Sequence, residues 1–83
     1  MDSFVIANIY SAEGTLAGVA VNVVFPWRPR KIVVTNDSSV NTYTVVIKGS
    51  TLTLKPTETL TAVIILGDLT LNGTGAYRVW GFG

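Results

Sequence analysis

Residues 31–66, KIVVTNDSSVNTYTVVIKGSTLTLKPTETLTAVIIL, decide the fold class. Four apolar, Thr-rich runs are separated by three turn signals: Asn36-Asp37-Ser38-Ser39, Gly49-Ser50 and Lys55-Pro56-Thr57-Glu58. The two middle runs alternate. Tyr43, Val45 and Ile47 fall on one side, with Thr42, Thr44, Val46 and Lys48 on the other. Leu52 and Leu54 face one way, Thr51, Thr53 and Lys55 the other. A period of two is the mark of half-buried strands in an antiparallel sheet. Val, Ile and Thr suit that surface because their branched Cβ packs well on a pleat and crowds a helix. The stretch therefore predicts a meander of four strands.

Outward from it, the run SFVIANIY (residues 3–10) reads as a first strand, and Ser11-Ala12-Glu13-Gly14 as a turn. TLAGVAVNVVF (residues 15–25) reads as a second, longer strand, with Gly18 a bulge or bend. Pro26-Trp27-Arg28-Pro29-Arg30 breaks the pattern, since proline lacks a donor and restricts its predecessor. On the other side, Thr59 opens a strand that runs to Leu66, and Gly67-Asp68 signals a hairpin. Residues 69–72 form a short strand, Asn72-Gly73-Thr74-Gly75 a second turn, and YRVWGF (residues 77–82) a last strand. In it Arg78, Trp80 and Phe82 share one face, Tyr77 and Val79 the other. No stretch has helical periodicity. About eight short strands in 83 residues predict one all-β domain over residues 1–83. The architecture expected is a small antiparallel β-sandwich, jelly-roll or Ig-like, with a small closed β-barrel as the alternative.

Composition limits function. The chain has no Cys and no His, which removes disulfides, Ser-His and Cys-His nucleophiles and His/Cys zinc sites. The five carboxylates, Asp2, Glu13, Asp37, Glu58 and Asp68, all sit in predicted turns or at the terminus, where solvated caps outnumber catalytic pairs. The Asn36–Ser39 turn lacks the acidic spacing of a calcium loop and reads as an Asx-type hairpin turn. Gly73-Thr74-Gly75 has neither the lysine nor the helix of a phosphate loop. The reading is no enzyme, no cofactor and no metal.

Hydrophobic residues make up 48% of the chain and charged residues 13%, and mean hydropathy is +0.48. So short a chain has more apolar side chain than it can easily bury alone, which predicts that other copies or a partner cover part of it. Net charge is +1, too near neutral to predict nucleic-acid or membrane-surface binding. Met1-Asp2-Ser3 has no basic segment, and no uncharged run is long enough for a span. The chain reads as soluble and made in the cytoplasm.

Trp27 with Arg28, Arg30 and Lys31 is the one cation cluster visible in the sequence. It reads as a loop whose Trp caps the open end of the sandwich while the arginines stay solvated. A protein interface is the sharper alternative, because Trp and Arg are enriched at hot spots, and nucleic-acid stacking is a weaker one. Trp80 and Phe82 form a second candidate pair, intersubunit or core.

The order of segments in the second half resembles small β-sandwich structural proteins of tailed bacteriophage virions. The resemblance is carried by Lys31-Ile32-Val33-Val34-Thr35-Asn36-Asp37, by the strand from Tyr43 to Lys48 ending at Gly49, and by Leu54-Lys55-Pro56-Thr57-Glu58-Thr59. Tyr77-Arg78-Val79-Trp80-Gly81 looks like the closing strand of such modules. It covers residues 31–82 and carries over no functional residue. It implies a non-enzymatic virion protein, a self-associating capsid decoration, cement or accessory head or tail subunit made in the host cytoplasm. Its partners would be copies of itself, as a trimer, and other virion proteins such as the major capsid protein, with neither nucleic acid nor membrane. The candidate interface is Trp27, Arg28, Arg30, Trp80 and Phe82. The alternative is a carbohydrate- or cell-surface-binding sandwich module, with Trp27, Tyr43, Tyr77 and Trp80 as stacking candidates.

Overall fold

A computed structural model describes residues 8–83. The all-β, antiparallel reading is what the structure has: seven strands and, among the described residues, no helix. They are β1 (Ile9–Ala17), β2 (Val21–Val24), β3 (Lys31–Asn36), β4 (Tyr43–Ile47), β5 (Ser50–Leu54), β6 (Thr59–Ala62) and β7 (Asp68–Phe82).

β7 organises the sheet. Its first half pairs with β2 on one side and β4 on the other, and its second half with β1 and β3. β5 then extends β4, and β6 extends β3. The seven strands thus amount to four long ones, β1–β2, β7, β3–β4 and β6–β5; β7 runs unbroken, and the other three are interrupted opposite its middle. One leaf is β2-β7-β4-β5 and the other β1-β7-β3-β6, joined along a crease.

The crease folds the leaves toward each other. A straight strand of fifteen residues would span about 50 Å. Yet Phe25 N–H donates to Gly67 O at 3.0 Å, at one end of β7, and Arg30 N–H to Phe82 O at 2.8 Å, at the other. The residues between them can bridge at most about 20 Å. The Phe25 ring lies so close to Gly81 that a Cβ there would sit 2.9 Å from Cε1. The result is a curled half-barrel, with elements of both the sandwich and the barrel expected. Among the described residues, no pairing closes β1–β2 onto β5–β6.

The inner face carries the core. Ile32, Val34, Tyr77 and Val79 of one leaf meet Val23, Val45, Leu69 and Leu71 of the other. Phe25 and Leu66 plug the open end from the loops 25–30 and 63–67. Tyr10 packs edge-on against Phe25 at 5.8 Å between centroids, tying β1 to the end of β2.

Several turn signals are bends. Asn36–Asn41 and Lys55–Glu58 do not reverse the chain; they carry it across the crease. Asn36 is fully buried, and its Nδ2 donates to Asn41 O and Leu54 O while its Oδ1 accepts from Ser38 N–H. The Asx turn is present, but it closes no hairpin, because β3 and β4 both pair with β7. Asn72-Gly73-Thr74-Gly75 is likewise a bend inside β7. Gly73 has φ 136°, and a Cβ there would meet Tyr43 Cβ at 2.7 Å. Lys48-Gly49 does close a hairpin, with φ 48° and 81°, between β4 and β5.

The N-terminal boundaries also move. Residues 3–7 of the expected first strand lie outside the described residues. Ser11–Gly14 is no turn, because it runs within β1 opposite Trp80, Val79, Arg78 and Tyr77. The long strand expected over residues 15–25 breaks at Gly18, whose N–H donates to Gly73 O at 2.9 Å. The strand expected to reach Leu66 stops at Ala62, because residues 63–67 cross from one leaf to the other.

Candidate functional site

The sequence-predicted residues fall on two surfaces. Trp80 and Phe82 point to the outer face of the β1-β7-β3-β6 leaf, since Gly81 and Val79 take the inner positions. They are half-buried there and are not part of the core cluster. Register builds three rows across that leaf. Trp80 lies between Ser11 and Val33, Arg78 between Glu13 and Thr35, and Phe82 between Ile9 and Lys31.

Arg78 is the fixed point of this face. Its Nε and Nη2 donate to the two oxygens of Asp37 at 2.7 and 2.9 Å, a bidentate fork. The hydrogen bond to Asp37, then the Asp37 charge, raises its pKa above the ordinary arginine value. The guanidinium lies 5.0 Å from the Trp80 ring centroid, and Lys31 Nζ lies 5.7 Å from that of Phe82. A groove of 310 Å³ opens beside them, lined by Ser11, Ala12, Glu13, Arg78 and Trp80. It offers a carboxylate acceptor, a positioned guanidinium, a hydroxyl and an indole.

The second surface is the open end of the half-barrel. Trp27 is half-buried there and fills the space over Gly83, where a Cβ would come within 2.8 Å of its ring. It caps the end, while Arg28 and Arg30 are exposed. Between them Pro29 is buried against Gly81. The two surfaces adjoin at Phe82, whose carbonyl holds Arg30 and whose ring lies under Lys31.

Sequence reasoning missed Glu13 and Ser11, which the misplaced turn hid, and Lys48, which only strand order brings near Arg28. The alternation in β1, with Ser11 and Glu13 outward, was the signal available. Comparison with protein-family models, curated proteins and solved structures gave no match.

Proposed function

We propose that the chain is a non-enzymatic structural subunit that associates with copies of itself. The resemblance to accessory virion modules makes it a capsid decoration, cement or tail subunit, held in the virion beside proteins such as the major capsid protein. One observation carries the self-association. Across the four edge strands, β1, β2, β5 and β6, the only charged side chain is Glu13, and none contains proline. Open edges of monomers are ordinarily blunted by lysine, proline or cover. Among the described residues each edge has a neighbour on one side alone, and Leu52, on the core side of β5, is 40% exposed. Pairing the β1–β2 edge of one copy with the β5–β6 edge of the next is a heterologous contact, which gives a ring where the rotation closes and a filament where it does not; the proposed trimer is the closed case. Native mass by light scattering at two protein concentrations tests it. A stable trimer is expected, and a folded monomer at both concentrations refutes it.

The groove beside Trp80 favours a second reading, a carbohydrate- or cell-surface-binding module. A held guanidinium and a carboxylate around an indole suit a polyhydroxylated ring. Glycan-array binding abolished by Trp80→Ala is the expected result, and a blank array ends that reading.

A further inference from the structure

A net charge of +1 conceals where the charges lie. Strand order sends Arg28, Arg30, Lys31 and Lys48, four of the six cationic side chains, to the open end. All four are exposed. Among the described residues the one acidic side chain there is Asp68, at the start of β7. Lys55 and Arg78 sit toward the crease, with Asp37 and Glu58.

The same end carries an unusual loop. Residues 63–67, VIILG, contain no polar side chain, although connecting loops are normally polar. Ile64 and Leu66 turn inward, leaving Val63 84% and Ile65 53% exposed. Both stand among the cations. Ala62 pairs with Ile32, so Val63 emerges beside Lys31. Ile65 lines a cavity of 230 Å³ with Arg28, Lys48 and Asp68.

We propose that the open end docks on an anionic phospholipid surface, with Val63 and Ile65 at headgroup depth and Arg28, Arg30, Lys31 and Lys48 around them. Each cation near an anionic leaflet adds attraction, and projecting apolar side chains add burial. A second copy seated end to end would oppose cation to cation. A folded protein partner would need a flat or concave apolar patch, whereas these side chains project singly from a loop, which a fluid interface accepts. The proposal is independent of self-association through the sheet edges.

Co-sedimentation with phosphatidylcholine vesicles containing phosphatidylglycerol as about a third of the lipid tests it, beside vesicles of phosphatidylcholine alone. Binding to the anionic vesicles alone is expected, and it should fall with salt. Arg28→Ala and Lys48→Ala should each weaken partitioning about five-fold. Val63→Ser and Ile65→Ser should weaken it too, while Lys55→Ala, the same charge change at the crease, should leave it unchanged. These side chains are exposed, so the variants should keep the parent circular-dichroism spectrum. No sedimentation, equal binding to neutral vesicles, or an equal loss from Lys55→Ala overturns the proposal. So does binding to polyglutamate beads without binding to vesicles, which would assign the end to an acidic macromolecule.

Discussion

Gly81→Ala tests whether the two ends of β7 face each other. A Cβ at position 81 would lie 2.9 and 3.0 Å from Phe25 Cε1 and Cδ1, and 3.2 Å from Pro29 Cβ. Comfortable carbon contacts are about 3.5–4.0 Å, so the neighbours would have to retreat by roughly half an ångström or more. They have little room. Phe25 is buried and packed edge-on to Tyr10, and Pro29 is buried in a rigid ring. Overpacking of this kind costs about 1–3 kcal/mol. In a domain of this size each kcal/mol lowers Tm by about 4–8 °C. The measurement is equilibrium urea unfolding of wild type, Gly81→Ala, Phe25→Leu and the double variant, with the m-value checked for constancy. Because the methyl clashes with the Phe25 ring, Phe25→Leu should relieve the strain. The double variant should be more stable than the sum of the single effects by about 0.5–2 kcal/mol. A Gly81→Ala cost below about 0.5 kcal/mol, or strict additivity, would refute the leaf-to-leaf contact.

Two further perturbations probe the crease. Asn36→Ala removes three hydrogen bonds of a fully buried side chain, those donated to Asn41 O and Leu54 O and the one accepted from Ser38 N–H; the expected loss is about 2–4 kcal/mol by urea unfolding. The Tyr43 hydroxyl donates to Thr35 O at 2.8 Å, and burial first, then Asp37 and Tyr77, push its pKa up to about 12. The folded chain keeps that proton after the unfolded chain, near pH 10, has lost it. This contribution is therefore whole below about pH 10 and lost as pH rises toward 12. It amounts to about 1–2 kcal/mol after solvent screening near the hydroxyl. Tyr43→Phe should flatten that alkaline fall while costing about 1 kcal/mol at neutral pH.

Much of the fold was legible because alternation is local. Tyr43, Val45 and Ile47 lie inward as the spacing requires, as do Tyr77 and Val79. The directions of the bends were not legible. Asn36-Asp37-Ser38-Ser39 carries the composition of a hairpin turn, and its Asx turn forms, yet the chain continues forward because β7 holds the strands on both sides of it. Asn72-Gly73 failed for the same reason: positive φ serves a fold in a strand as well as a reversal. Trp27 could be placed at the open end because Pro26 and Pro29 exclude it from a strand. Lys48 could not join Arg28 without the strand order, so the sequence-visible cluster was smaller than the real one.

The position of β7 also governs how the chain can reach its structure. It is the last strand in order, and β1, β2, β3 and β4 all pair with it. During synthesis β1 and β2 emerge first and find no partner until β7 appears, while β3 and β4 can form only the β3–β6 pair and the β4–β5 hairpin early. Both leaves must wait for the same late segment, so topology predicts slow folding. The apolar strands that wait are open to association with other nascent chains. A chain stalled before Asp68 would lose the central member of both leaves at once.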